Sequence, residues 1–75
     1  MFPITSRVTC VRAAPGVYRL YYQSRSVGEA VTVDHDVLYV SHSFTESSRV
    51  VASLRDAARW LEAIEDAVAA PLAAA

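Results

Sequence analysis

From Ile4 to Arg12 the chain alternates, with Ile4, Ser6, Val8 and Cys10 on one side and Thr5, Arg7, Thr9 and Val11 on the other. That two-residue period is the signature of a half-buried strand. "AAPG" at 13–16 follows, with Pro15 suited to the second position of a turn and Gly16 to a positive φ, before "VYRLYYQS" resumes β-branched and aromatic content. The first two strands therefore form a hairpin. "SRSVG" breaks the pattern, "EAVTV" restores it, and "VLYVSHSF" follows an acidic interruption at Asp34–Asp36. The pattern predicts an antiparallel meander of about four strands.

The period then changes. In "SLRDAARWLEAIEDAV", residues 53–68, Leu54, Ala57, Ala58, Leu61, Ile64 and Val68 recur at three-four spacing, one face of an amphipathic helix. Ser53 followed by Asp56 resembles a capping box and places the helix start near residue 53. Val50 also fits the helical spacing, which leaves a helix from Thr45 open, but the adjacent valines in "RVVA" favour a short strand. Trp60 lies off the centre of the apolar stripe, to pack at the helix edge or to anchor a partner. Pro71 is expected to end the helix, leaving residues 71–75 as a frayed Ala-rich tail. The expected fold is α+β: one small domain over residues 1–70, an antiparallel sheet with a single C-terminal helix packed on one face.

Seventy-five residues starting at Met1 read as one small reading frame with one thin core, since so short a chain buries only about 60–65 % of its unfolded surface. The single cysteine, Cys10, forms no internal disulfide and is expected to be buried and inert, which points to a reducing cytoplasm. No segment resembles a signal peptide, and none approaches the roughly 18 apolar residues of a membrane span. The net charge of −1 conceals an asymmetry: residues 1–27 hold Arg7, Arg12, Arg19 and Arg25 with no acid, while Glu62, Glu65 and Asp66 crowd the helix end.

"VDHDVLYVSH", residues 33–42, gathers both histidines and two acids and so raises metal or acid-base chemistry. Asp34, His35 and Asp36 suit a hairpin tip, where their side chains bond nearby backbone. Across that hairpin His42 lies seven residues down one arm, roughly 20 Å away at about 3.3 Å per residue. The two histidines cannot share an ion within one chain, and no metal site or cofactor is expected. The serines lack a nucleophile elbow and the two glycines stand alone, so hydrolase and nucleotide-binding readings lapse.

One helix roofs one face of a sheet, yet "VYRLYYQ" is apolar or aromatic on both sides. With Val8, Val31, Val33, Leu38 and Val40 turned inward, the outward set is Arg7, Val11, Arg19, Tyr21, Thr32, Val37 and Tyr39. Tyrosine and arginine are enriched at binding hot spots, so Arg7, Arg19, Tyr21 and Tyr39 are candidate partner-binding residues, and a homodimer through this face is an alternative. Glu62, Glu65 and Asp66 sit where the helix dipole favours cations, and form a second candidate surface for a basic partner.

In length and layout, through pieces such as "GVYRLYYQ" and "SLRDAARWLEAI", the chain resembles the small accessory proteins of bacteriophages and mobile elements, including anti-CRISPR inhibitors. That resemblance implies a non-enzymatic inhibitor that blocks a CRISPR effector subunit or nuclease by stoichiometric occlusion in the host cytoplasm. Three strands followed by a helix are also similar to the arm-site DNA-binding modules of phage integrases, against which stand the net negative charge and the absence of lysine. A dimeric structural phage protein is the third reading.

Overall fold

The computed structural model describes the backbone of residues 2–5 and 7–74, and the side chains of 4–5 and 7–68. Strands β1 (Phe2–Pro3), β2 (Val8–Ala14), β3 (Val17–Tyr22), β4 (Arg25–Asp34), β5 (Val37–His42) and β6 (Ser48–Val51) precede one helix, α1 (Leu54–Ala74). Each strand pairs antiparallel with the next, so the sheet is an uninterrupted meander in chain order. The fold is α+β as expected, with more strands than four. β1 is only a two-residue edge, and "RVV" forms a strand of its own rather than the first turn of the helix.

Local chemistry accounts for most boundaries. Pro15 and Gly16 turn β2 into β3, and the Gly16 φ of 75° is what a type II turn demands of its third residue. Ser53 caps α1: its Oγ accepts the Asp56 N–H at 3.1 Å and its carbonyl accepts the Ala57 N–H at 3.1 Å. Two turns escaped the sequence pattern. Gln23 and Ser24, with φ of 48° and 71°, make a two-residue hairpin between β3 and β4 without the usual Asn-Gly. β4 consequently begins at Arg25, inside the stretch expected to be a loop. Ile4 and Thr5 likewise turn rather than extend, both N–H groups donating to the Val8 carbonyl, so the strand expected from Ile4 starts at Val8; Ser6 lies outside the described residues. α1 continues through Pro71, where the sequence leads one to expect its end, and Ala75 lies outside the described residues.

α1 lies on one face of the sheet. Val8, Leu20, Val27, Ala30, Leu38 and Val40 from the strands meet Ala57, Ala58 and Leu61 from the helix, with Tyr18, Tyr22, Val51, Leu54 and Trp60 around the rim. Cys10 is buried beneath them, as expected. β4 departs from the predicted facing. Gly28 and Ala30, not Val31 and Val33, turn to the helix, because they share rows with Leu20 and His42, and with Tyr18 and Val40. The register shifts between Leu20 and Tyr21, leaving Val27 without a partner on β3; Val27 and Gly28 are both buried, the two-against-one pattern of a bulge. Thr32, expected outward, therefore falls in the helix-side row with Leu38.

Hydropathy alone prefers valine over glycine in a core; proximity reverses the choice. A Cβ on Gly28 would stand 2.5 Å from the Ser41 carbonyl oxygen and 2.9 Å from both Leu61 methyl carbons. Backbone cannot yield as a flexible side chain can. Gly28→Ala is expected to lower stability by roughly 1–3 kcal/mol through overpacking, read as a lower urea midpoint, whereas Ala at exposed Glu29 should leave the midpoint within about 0.5 kcal/mol.

Candidate functional site

The seven residues singled out from the sequence separate into two groups on opposite faces. Arg19, Tyr21 and Tyr39 share the open face. Strand register arranges that face in three rows: Thr9–Tyr21–Ser26, then Val11–Arg19–Glu29–Ser41–Ser48, then Val17–Val31–Tyr39–Val50. The third row is apolar from end to end. Tyr39 is 43 % exposed and Val50 60 %, while Val33 extends the apolar surface towards the β4–β5 turn at 58 %. The inversion of β4 described above thus enlarges the open face beyond the expected tyrosine and arginine.

Arg7, Glu62, Glu65 and Asp66 are not part of that face. They meet at the other side of the molecule, in a polar cluster that fastens α1 to the sheet. Arg7 was expected outward on a strand; instead it sits in the β1–β2 turn and pairs with Asp66 at 2.8 Å. Tyr22 donates its hydroxyl proton to the other Asp66 oxygen at 2.6 Å. Glu62 Oε2 accepts from the Thr5 hydroxyl at 2.5 Å and from the Arg7 N–H at 3.3 Å. The acidic patch proposed from the charge run is therefore largely consumed internally.

Glu65 occupies the centre of this cluster and is only 5 % exposed. Its side chain accepts from His42 Nε2 at 2.8 Å through one oxygen and pairs with Arg25 through the other. His42, 3 % exposed, is held from its far side, where the Thr45 N–H reaches Nδ1 at 3.1 Å and the Thr45 hydroxyl lies 2.9 Å away. These partners assign the ring proton to Nε2, which donates to Glu65. Arg25 continues outward over the Phe44 ring at 5.5 Å, and Phe44 packs edge-on against His42. Among the described residues no buried side-chain polar atom lacks a partner.

Thr45, His42 and Glu65 form a hydroxyl–imidazole–carboxylate line, which invites comparison with a nucleophile, base and orienting acid. The geometry argues for structure instead. The single Nδ1 lone pair is already engaged by the Thr45 N–H, so it is not free to take the hydroxyl proton. The Thr45 oxygen in turn accepts from the Ser47 N–H at 3.3 Å. The line holds the β5–β6 turn.

His35, the other histidine of the opening stretch, lies at the β4–β5 turn, where its N–H donates to Asp34 Oδ1 at 2.8 Å. It stands at the opposite end of β5 from His42. Among the described residues no three His, Cys, Asp or Glu side chains group as metal ligands, and no helix is long and apolar enough to cross a membrane. Compared with known proteins, the chain matches no family model, no curated protein and no solved structure.

Two consequences of the cluster are measurable. Glu65→Ala leaves the His42 Nε2 proton without an acceptor in a buried site and is expected to lower stability by about 1–3 kcal/mol. Glu65→Gln, whose amide oxygen keeps one acceptor, should cost less; urea unfolding of both variants checks the order. The hydrogen bond to Asp66, with burial second, pushes the Tyr22 phenol above its ordinary value. A raised folded-state value means that this contact contributes fully below the unfolded tyrosine value of about 10, and its contribution fades as pH rises through the folded value. Ultraviolet titration of the native protein should therefore show a late-ionising tyrosine that Tyr22→Phe removes.

Proposed function

We propose that the chain is a non-enzymatic protein-binding inhibitor, of the kind its size and layout resemble among anti-CRISPR proteins, and that it acts by docking its open sheet face on a protein partner. One observation carries this reading: the one helix among the described residues covers one side of the sheet, and the other side presents the row Val17–Val31–Tyr39–Val50 beside Arg19 and Tyr21. An apolar band with aromatic and guanidinium groups at its margin fits a desolvated protein contact. Occlusion of a CRISPR effector subunit or nuclease requires no chemistry of the inhibitor itself, only a firm surface, and the polar cluster on the far side supplies that firmness.

The charges of the face favour a protein over DNA. Arg19 lies directly across from Glu29 in the register, and two of the other arginines, Arg7 and Arg25, are bound to Asp66 and Glu65. A duplex binder needs a basic surplus to neutralise phosphates, and this face has none.

The test joins two measurements. Wild-type protein used as bait in a bacterial host lysate should retain one partner in stoichiometric amount, and a Tyr21→Ala/Tyr39→Ala variant of unchanged thermal stability should lose it. Titration with duplex and single-stranded DNA at about 50 mM and 200 mM salt should show no binding. Salt-sensitive DNA binding, or capture that survives the double substitution, would refute the reading.

A further inference from the structure

β6 ends the sheet, and its ladder with β5 engages only one of its edges. The phase of that ladder identifies what the other edge offers. The His42 N–H donates to the Ser47 carbonyl at 2.8 Å, and these two residues continue the register Ser41↔Ser48. Bonded and unbonded pairs alternate along an antiparallel ladder. Val40↔Arg49 and Leu38↔Val51 are therefore bonded pairs, whereas Ser41↔Ser48 and Tyr39↔Val50 are not. The N–H and C=O groups of Ser48 and Val50 point away from the sheet along its free edge.

Arg49 and Val51 turn their side chains to the helix side, in register with buried Val40 and Leu38. There they line a groove of about 480 Å³ against α1, together with Asp56, Arg59, Trp60 and Ala63. The groove holds two guanidiniums against one carboxylate. Among the described residues neither Arg49 nor Arg59 enters an ion pair, in contrast to Arg7 and Arg25.

We propose that this groove binds an extended peptide, which adds to the sheet beside β6 and sets acidic side chains against Arg49 and Arg59. Main-chain bonds to Ser48 and Val50 supply attachment, and the groove reads alternate side chains. The peptide residue opposite Arg49 points to the same side, with Cβ atoms about 4.5–5.5 Å apart. An aspartate or glutamate there meets the guanidinium in the planar geometry that arginine favours. Two positions along, the peptide faces Val51 and the part of the groove that Trp60 lines.

A second copy of the chain is the competing occupant, and charge opposes it. The antiparallel register that bonds Ser48 to Val50 of the copy, and so uses both outward residues, puts Arg49 directly opposite Arg49 of that copy, and like charges so placed on a sheet are destabilising. An acidic strand reverses the sign of the same contact.

Trp60 is the chain's single tryptophan and sits in the groove, so its fluorescence reports occupancy. The probes are eight-residue peptides of alternating valine with glutamate, glutamine or lysine. The glutamate peptide should change Trp60 emission saturably, move the Ser48 and Val50 amide signals and slow their hydrogen exchange, while the lysine peptide does none of the three. Arg49→Ala/Arg59→Ala should weaken glutamate-peptide binding about tenfold or more, the scale of losing one charge-assisted hydrogen bond. Val50→Pro should also weaken it, because the lost N–H faces outward and an edge strand tolerates proline there; should that variant unfold, the arginine pair still decides. Equal binding of the glutamine or lysine peptide, binding that leaves the Ser48 and Val50 amides unmoved, or a peptide-free dimer that Val50→Pro dissolves would each overturn the proposal. Because the readout comes from the β6 edge and not from Tyr21 or Tyr39, it stands apart from the reading of the open face.

Discussion

The close seating of α1 on β4 is the constraint from which the rest of the molecule follows. Leu61 descends onto Gly28 until no room remains even for a Cβ, and the neighbouring contacts use Ala30, Ala57 and Ala58. Small residues at a helix–sheet contact bring the two layers close enough for a thin core to fill without voids. The arrangement has a second effect on the same strand. Once Gly28 and Ala30 face the helix, alternation sends Val31 to the opposite face, so the fit of the core and the apolar character of the open surface share one cause.

Beyond Leu61 the same helix face changes chemistry. Glu65 follows it at four-residue spacing and remains buried, because the sheet there ends in His42 and Arg25 rather than in valine and leucine. A buried carboxylate is costly unless it is bonded, and every group in this cluster is placed to satisfy another. Such a cluster adds less to net stability than an apolar core of equal volume, but it specifies register: His42 meets Glu65 only when β5 and α1 sit in one relation. In so short a chain, with so little apolar volume, specificity of this kind fixes how α1 seats on the sheet.

Much of this was legible in the sequence. The meander order, the PG turn, the Ser53 cap and the three-four face of α1 from Leu54 to Leu61 all express local rules and stand where those rules put them, whereas Val68, expected on the same face, is 58 % exposed. The facing of β4 was not legible, because hydropathy ranks valine above glycine while the site selects by size, and nothing local to "VGEAVTV" announces the Leu61 side chain above it. The polar cluster lay between these cases. Alternation from Leu38 and Val40 already carries His42 inward, and spacing from Ala57 and Leu61 already carries Glu65 onto the buried stripe. Reading the acids as a charge run, by composition rather than by position, hid a pair that both periodicities implied. Arg7 was misplaced for a further reason: the two-residue β1 and its turn occupy residues whose alternation resembles a longer strand.

β6 is where the two free surfaces of the molecule meet. Its odd-numbered residues, Arg49 and Val51, direct side chains into the groove beside α1, whereas Val50 directs its side chain into the apolar row of the open face and its N–H and C=O to the sheet edge. One short strand therefore belongs to both surfaces, and they are contiguous around it. A protein partner that covers the open face from Tyr39 to Val50 reaches the free edge within the width of one strand, about 4.8 Å. Attachment at the edge fixes direction and register, since main-chain bonds form in one phase only, while the open face contributes apolar area that is indifferent to both. That division of labour fits the inhibitor reading proposed above, in which a limited surface must supply affinity and orientation together.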